Sequence, residues 1–161
     1  MVTTTTIAEK NIWAVVETVT DPEVPVLSIT DLGIVRDVKI NDEEIEVIIT
    51  PTYTGCPAMD MIAMNIRMAL VENGYRNIKI TSVLSPAWTT DWMTDAGKQK
   101  LKAYGIAPPV TRSDDASDFV IECPQCHSHN TKLISQFGST ACKALYQCTD
   151  CKEPFDHFKC H

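Results

Sequence analysis

The chain has 161 residues, 44% of them hydrophobic, which is enough for a domain of about 100 residues with a real core and a smaller appendage. Its formal net charge of −7 counts against nucleic-acid binding, which favours a basic surface, and no apolar run reaches the length of a membrane span. An odd count of seven cysteines, and no basic and apolar leader in residues 1–10, indicate a reduced, cytoplasmic protein whose cysteines are thiols or metal ligands.

The amino-terminal part of the chain predicts a helix followed by a hairpin. Thr6 and Glu9 have the spacing of a capping box and precede apolar residues at helical intervals. The helix should end before 21–25, because two prolines and a charged pair do not continue it. Two strands, joined by a tight turn, are predicted at 35–40 and 44–50.

A second helix is predicted at 57–73, since proline fits the first helical turn and an Asn-Gly pair stops the helix. Its apolar residues at 62, 66, 69 and 70 form one buried stripe. The helix is also rich in methionine, a flexible apolar side chain that fills gaps in cores. We therefore expect core and flank positions, and not a copper site, for Met59, Met61, Met64 and Met68.

A third strand is predicted at 78–84 and a third helix at 90–103, with acidic residues near its start and lysines near its end. The order of elements predicts an α/β (α+β) fold with a small sheet and packed helices. Residues 106–118 contain prolines and a polar run, so we interpret them as a linker. It would separate a domain at 1–105 from a metal-binding ribbon at 119–161.

Two Cys-x-x-Cys pairs in the last quarter of the chain predict a metal site. The pairs are separated by 21 residues, a spacing that lets four thiolates close around one tetrahedral ion such as Zn²⁺. Coincidental pairs or disulfides are the alternative, which the reduced composition disfavours. The predicted ligands are Cys123, Cys126, Cys148 and Cys151.

Other cysteines and histidines lie near these pairs. Cys142 is expected to pack, whereas Cys160 and His161 could form a looser second metal patch with His157. His129 could in principle replace a cysteine ligand, but the second pair completes the site more economically. The aromatic residues Phe155 and Phe158 are expected to form the small core of the ribbon.

Cys56 is the one cysteine before residue 123, and it lies where a strand stops and a helix begins. Unpaired backbone N–H groups and the helix dipole favour a thiolate there, while Asp60 in the same turn opposes it. A reactive thiol and an inert buried cysteine are both compatible with this position.

A second polar cluster could face the loop of Cys56. The segment Asp21-Pro22-Glu23 follows the first helix, and it is compatible with a solvated turn or with a source of carboxylates for a pocket. In the second interpretation Asp21, Glu23, Asp31 and Thr54 support the Cys56 thiol.

Three elements in this order resemble a known domain. Asp21-Pro22-Glu23, the segment 28–35 and Thr52-x-x-x-Cys56-Pro57 resemble the SufT-like domain of iron–sulfur cluster assembly proteins, over about residues 8–105. With the carboxy-terminal Cys-Pro-Gln-Cys element and the segment 137–148, the whole chain resembles the PaaD (PaaJ) family. That family is encoded with the multicomponent phenylacetyl-CoA epoxidase (ring 1,2-monooxygenase) of aerobic phenylacetate degradation.

The resemblance implies an accessory, non-catalytic maturation factor. Its protein partners would be the oxygenase and reductase subunits of the epoxidase, with Cys56 as the functional thiol for a transient iron–sulfur cluster and zinc as a structural ion in the ribbon. Stable clusters usually take four cysteines, so one thiol per domain suits transfer, and a homodimer that joins two Cys56 thiolates is a compatible hypothesis.

Two other functions compete with maturation. A structural or electron-transfer subunit would hold a rubredoxin-like iron in the four-cysteine site, because the same spacing also suits iron. A thiol-dependent enzyme is disfavoured, because no histidine precedes residue 127 and Cys56 therefore has no imidazole base in its own domain.

Overall fold

The structure is a computed structural model and describes residues 7–53, 55–110 and 120–159. These residues form two compact units that divide between Thr94 and Asp95. The division precedes the third helix, which the sequence pattern assigned to the first domain. The domain limits at 105 and 118 stay a prediction, and the second of them lies outside the described residues, as does the predicted helix cap at Thr6.

The first unit is a three-stranded sheet with two helices. Its strands are β1 (Val35–Asn41), β2 (Glu44–Ile49) and β3 (Asn77–Ser82), and its helices are α1 (Ile7–Glu17) and α2 (Ala58–Glu72). The strand order is β1-β2-β3, with β1 antiparallel and β3 parallel to β2. The helices pack on each other, and α1 also contacts β1 while α2 contacts β3.

Apolar periodicity explains why these elements form. In β2 every second residue is buried, at Ile45, Val47 and Ile49, as the alternation predicted. The hairpin turns at Asp42, whose φ of 55° is tolerated by aspartate in tight turns. In α2 the buried residues recur every four positions and face the core: Ala58, Ile62, Ile66 and Leu70.

The prediction that the methionines of α2 occupy core and flank positions is corrected for three of the four, whereas Met59 is half-buried. Met61, Met64 and Met68 are 49%, 52% and 53% exposed, so they lie on the solvent side of the helix. The helix is therefore apolar on two faces, and only one of them is used by its own core.

The third predicted helix is also different at its start. Residues Thr90–Trp92 form a short 3-10 helix, and Met93 then adopts an extended backbone that buries its side chain. A regular helix, α3, begins only at Asp95 and ends at Tyr104. A buried apolar side chain at Met93 thus outweighs the continuous helical pattern.

The segment 88–94 holds the turn that precedes β1. Trp88 donates its indole N–H to the Leu32 carbonyl at 2.8 Å, and the Thr94 N–H donates to the Asp31 carbonyl at 2.9 Å. Gly33 lies between these contacts with φ at 72°, and a Cβ there would be 2.5 Å from the Trp92 carbonyl oxygen. Only glycine fits, because both the backbone conformation and the neighbouring main chain exclude a side chain.

Gly33→Ala is therefore expected to destabilise the first unit by about 2 to 5 kcal/mol, the sum of left-handed strain and a backbone clash. Gly74→Ala is the matched control: Gly74 also has a positive φ, of 92°, but open space at the Cβ position. Gly74→Ala should lower the free energy of unfolding only by the cost of the left-handed conformation, about 1 to 2 kcal/mol. Denaturant unfolding of the full chain measures both, and equal losses would contradict the clash at Gly33.

The second unit contains α3 and a three-stranded antiparallel sheet. Its strands are β4 (Thr131–Ser135), β5 (Lys143–Cys148) and β6 (Pro154–Phe158), in the order β4-β5-β6. The other side of β6 pairs with the backbone at Ala107. Phe155 and Phe158 are 5% and 2% exposed, which confirms their predicted core role.

The α+β prediction with a carboxy-terminal ribbon is confirmed. In the part of the chain that the structure describes, no helix is both long enough and apolar enough to span a bilayer.

His157 is a buried titratable group in β6. Its Nδ1 lies 3.2 Å from the Ala107 carbonyl oxygen, and its ring is edge-on to Tyr146 at 5.5 Å between centroids. Burial lowers the pKa of His157 below its usual value, although the hydrogen bond to Ala107 opposes this in part. The neutral imidazole is therefore the form that the folded unit favours.

Since His157 binds a proton more readily in the unfolded chain, its contribution to stability is complete above about pH 6.5 and decreases as the pH falls below that value. We expect His157→Gln to flatten the dependence of the unfolding midpoint on pH between about 7.5 and 5.5, measured in excess zinc. His129→Gln, the same substitution at an exposed position, is the control. An unchanged slope in His157→Gln would refute the role of burial.

Candidate functional site

Two backbone knuckles present the four predicted metal ligands. In each knuckle the first cysteine donates its N–H to the carbonyl five residues later: Cys123 to Ser128 at 2.9 Å and Cys148 to Glu153 at 3.0 Å. The residue after each second cysteine has a positive φ, 62° at His127 and 67° at Lys152. The two Cys-x-x-Cys pairs thus have matching local conformations, with both sulfurs of each pair turned to one side.

The four sulfurs converge with the spacing that one tetrahedral ion requires. All lie within 4.8 Å of one another, and the Cys123–Cys151 and Cys126–Cys148 Sγ–Sγ distances are 3.8 Å and 3.6 Å. Sulfurs about 2.3 Å from a tetrahedral ion are about 3.8 Å apart, whereas a disulfide needs about 2.05 Å. The cysteines are therefore arranged to bind a metal ion, and not as disulfides.

Burial divides the ligands into an inner and an outer pair. Cys123 and Cys148 are fully buried, whereas Cys126 is exposed and Cys151 half-buried. The inner pair belongs to the hydrophobic core of the second unit, where it packs with Ala107, Ile121 and Phe155. Metal binding and the packing of this core consequently depend on the same side chains.

The thiols differ in how readily they lose a proton. The Cys151 N–H lowers the pKa of Cys148 to about 7. At Cys151 the Glu153 N–H acts in the same direction, but burial and the sulfurs of Cys126 and Cys148 together outweigh it and raise the pKa to about 12. Without a cation the cluster opposes the accumulation of negative charge, and a divalent ion would relieve this repulsion.

Polar side chains tie the two knuckles together. Asp150 of the second knuckle accepts hydrogen bonds from the Ser128 hydroxyl and, at 3.0 Å, from the Asn130 amide of the first knuckle. These bonds lower the pKa of Asp150. His127 and His129 point to Glu122, at 2.8 Å and 3.9 Å, and are exposed, so they are not part of the four-sulfur group.

Two further cysteines of the ribbon, Cys142 and Cys160, lie outside the four-sulfur group or outside the described residues. Cys142 is buried, and its Sγ lies 3.0 Å from the Thr140 hydroxyl, in agreement with the expected packing role. Cys160 and His161, suggested as a second metal patch, lie outside the described residues.

Cys56 is a free, half-buried thiol in the loop between β2 and α2. Its N–H donates to the Tyr53 carbonyl at 3.3 Å, and its carbonyl accepts from the Met59 N–H at 3.3 Å. Pro57 forms the N-cap of α2 without a side-chain capping bond. The backbone of Cys56 is thus fixed by a turn before it and by the first helical turn after it.

Sheet topology brings the loop of Cys56 and the segment of Asp31 to the same end of the sheet. β2 runs towards this end, and β1, which is antiparallel to it, starts there. The Thr50 N–H accordingly donates to the Ile34 carbonyl at 2.9 Å. Loops at the carboxyl ends of strands are common positions for binding sites in α/β proteins.

The two buried carboxylates of this region close their own loops. Asp21, 7% exposed, accepts the N–H groups of Glu23 and Val24 at 2.7 Å and 3.0 Å. Asp31, 8% exposed, accepts the Ser28 N–H at 3.3 Å and the Thr94 hydroxyl at 3.1 Å. Both carboxylates therefore stabilise the conformation of their own loops. Asp31 also lines a groove of about 530 Å³ along α1, together with Trp13 and Lys10.

The structure also shows features that sequence reasoning missed. Thr50, 1% exposed, has a hydroxyl with no hydrogen-bond partner among the described residues, at the base of the Cys56 loop. Thr54, predicted to support this thiol, lies outside the described residues. The exposed row of methionines on α2 is signalled in the sequence by its spacing of three and four residues.

Two protein families match parts of the chain. Residues 9–80 match iron–sulfur cluster assembly proteins, and residues 107–159 match the PaaD zinc beta ribbon domain. The first match includes Cys56, Asp21 and Asp31, and the second includes all four cysteines of the metal-binding group.

Individual relatives agree with these matches. A protein of Escherichia coli (strain K12) that is named as one of the subunits of 1,2-phenylacetyl-CoA epoxidase is 51% identical over 92% of this chain and 91% of its own length. An "Fe-S protein maturation auxiliary factor" of Porphyromonas gingivalis is 34% identical over 58% of this chain and 90% of its own. A DUF59 domain of Bacillus anthracis, solved as a crystal structure, is 29% identical with a TM-score of 0.55, over 58% of this chain and 90% of that one.

Proposed function

Since the chain belongs to the PaaD family of phenylacetyl-CoA epoxidase subunits, we propose that it is an accessory factor that matures metal centres of that epoxidase. The relatives of its first unit are named as iron–sulfur protein maturation factors, which supports this role over catalysis. The candidate clients are the iron–sulfur cluster of the reductase component and the di-iron site of the oxygenase component.

One observation supports Cys56 as the working group of the first unit. It is a free thiol, half-buried, in a loop at the carboxyl end of the central strand, within the part of the chain that matches iron–sulfur assembly proteins. A single thiolate can hold an iron–sulfur fragment as cargo but leaves most ligand positions open, which favours transfer over storage. Asp21, Glu23, Asp31 and Thr54 are proposed to shape the loops around it.

We assign zinc, as a structural ion, to the four cysteines of the ribbon. The sulfur spacing fits a tetrahedral ion, the zinc ribbon match covers the same residues, and two ligands lie in the core. When bound, the ion would supply charge neutralisation and a crosslink between the two knuckles. The ribbon would then be a stable docking element for partner subunits.

The partners in this proposal are proteins of the epoxidase system, in the cytoplasm where its thiols stay reduced. A second copy of the chain is a further partner, because two Cys56 thiolates can share one iron fragment. No catalytic step is assigned to the chain itself.

The test is metal and acid-labile sulfide analysis of anaerobically purified wild type and Cys56→Ser. We expect one zinc per chain in both proteins, with iron and sulfide bound only by the wild type. One sulfide-free iron per chain in both, without zinc, would instead favour a rubredoxin-like electron-transfer subunit and would count against a role for Cys56. Cys142→Ser, which removes a buried thiol outside the metal group, is the matched control.

A further inference from the structure

One face of α2 presents a row of apolar side chains to solvent. Its members are about half exposed, at 49%, 52%, 53% and 40% in chain order, and we call them the methionine stripe: Met61, Met64, Met68 and Val71. Contiguous exposed apolar surface is uncommon on soluble proteins and marks interaction sites. The stripe is separate from the face of α2 that packs on its own sheet.

The spacing within the methionine stripe is that of a helix-pairing seam. Its members follow one another by three, four and three residues, which is the a and d pattern of a heptad. A seam this narrow fits one partner helix, and it extends over three turns, about 15 Å. Flexible methionines suit such a contact, because they adapt to the opposing side chains.

The charged residues beside the methionine stripe are complementary to those of a second, parallel copy of the same helix. Arg67 and Glu72 are exposed on opposite flanks of the stripe, at the g and e positions of the same heptad pattern. In a parallel pair of identical helices, residue g faces residue e five positions later in the partner, so Arg67 faces Glu72 twice. An antiparallel pair that overlaps the whole stripe would bring Arg67 close to a second Arg67.

Arg67 is anchored on the flank of α2 that lies next to β3. One guanidinium nitrogen, Nη1, donates to the Ile78 carbonyl at 2.9 Å, which fixes the side chain on the flank next to β3. A guanidinium has five N–H donors, so others remain for a carboxylate across the seam.

We propose that the methionine stripe is the seam of a parallel, two-fold homodimer of this chain. The proposal rests on the function proposed for Cys56 and deepens it. Parallel helices begin at the same end of a dimer, and Cys56 precedes the first residue of α2 by two positions. The second copy therefore supplies a second Cys56 thiolate at the same end, where one chain alone offers a single ligand for an iron–sulfur fragment.

The dimer is expected to be weak. A seam of three helical turns buries less than the roughly 1,200 to 2,000 Å² of a standard stable interface. Association should therefore depend on protein concentration, which suits a carrier that must release its cargo to a client.

Sedimentation velocity of the zinc-loaded full chain over a wide concentration range tests the seam. The Cys56→Ser background is used under reducing conditions, so that neither a disulfide between two Cys56 thiols nor iron held by Cys56 can join the copies, and the result does not depend on whether Cys56 carries iron. A concentration-dependent dimer is expected, and it should be lost in the double variant Met64→Glu with Met68→Glu. A monomer at every concentration, or a dimer that survives the double variant, would overturn the proposal.

Leu84→Glu is the matched control for the single variant Met64→Glu, which adds the same charge within the stripe and should weaken the dimer. Leu84 is 63% exposed, belongs to the same unit and lies outside the stripe, so the dimer should persist. Circular dichroism of all variants checks that the fold is retained. If Leu84→Glu dissociated the dimer as completely as the stripe variant, the effect would be one of net charge, and the seam would be refuted.

A charge exchange tests the parallel orientation. Arg67→Glu alone should weaken the dimer, because two carboxylates then face each other across each flank. Adding Glu72→Arg restores opposite charges and should restore association. Failure of the double exchange to restore the dimer, with the fold intact, would refute the parallel arrangement and with it the joining of two Cys56 thiols.

Discussion

Cys148→Ser is expected to abolish metal binding and to unfold the second unit. Cys148 is fully buried, is one of four converging sulfurs, and packs with Ile121 and Phe155 in the core. A serine oxygen is a poor replacement for a thiolate, and a unit of this size has too small a core to fold without its metal. Structural zinc contributes about 10 to 16 kcal/mol to the folding of small zinc domains at pH 7.

The measurement is the zinc content of purified variants, together with near-ultraviolet circular dichroism of the ribbon aromatics. Cys142→Ser is the control, because Cys142 is also buried but lies outside the metal group. It should retain one zinc and the folded spectrum. A full equivalent of zinc in Cys148→Ser would contradict the four-sulfur site. Loss of zinc from Cys142→Ser would show that metal binding also depends on Cys142.

The substitution Cys56→Ser is expected to cause a large loss of iron from the proteins that the chain is proposed to mature. Cells that carry Cys56→Ser should produce epoxidase components that lack most of their iron, and should grow poorly on phenylacetate, because the variant cannot hold the fragment to be transferred. The ribbon and any metal that it binds should be unaffected, since Cys56 belongs to the other compact unit. Iron and sulfide analysis of the reductase and oxygenase components from the same cells shows which one is the client.

Cys142→Ser again serves as the matched control, because it removes a thiol without touching the Cys56 loop. Normal iron content in both components from Cys56→Ser cells would refute a maturation role for this thiol. Iron loss in the reductase alone would identify an iron–sulfur client, whereas loss in the oxygenase alone would identify the di-iron site.

Local pattern predicted much of this molecule correctly. Both strands of the hairpin, the second helix and the four ribbon cysteines follow from spacing within short segments. The alternation in β2 and the buried stripe of α2 are properties of their own residues, because each element must bury one apolar face. The turn within each knuckle is likewise encoded locally, by the Cys-x-x-Cys spacing.

Other features depend on contacts between distant segments and could not be predicted in this way. The third helix starts at Asp95 and not at Thr90, because Met93 is buried and extended. The need for glycine at position 33 comes from the Trp92 main chain, and the parallel pairing of β3 with β2 from the crossover through α2. None of these contacts is visible within a window of neighbouring residues.

Periodicity and the chemistry of single residues were sufficient to predict the types of most elements and the grouping of the four ribbon cysteines. Tertiary packing determined which face of each element is buried in the core. Tertiary packing buries the carboxylates of Asp21 and Asp31, which accept hydrogen bonds within their loops. It also brings the loops of Asp31 and Cys56 to one end of the sheet and leaves the methionine stripe exposed to solvent. The reason is physical: burial is a property of the packed chain, and an apolar side chain is part of the core only where another element covers it.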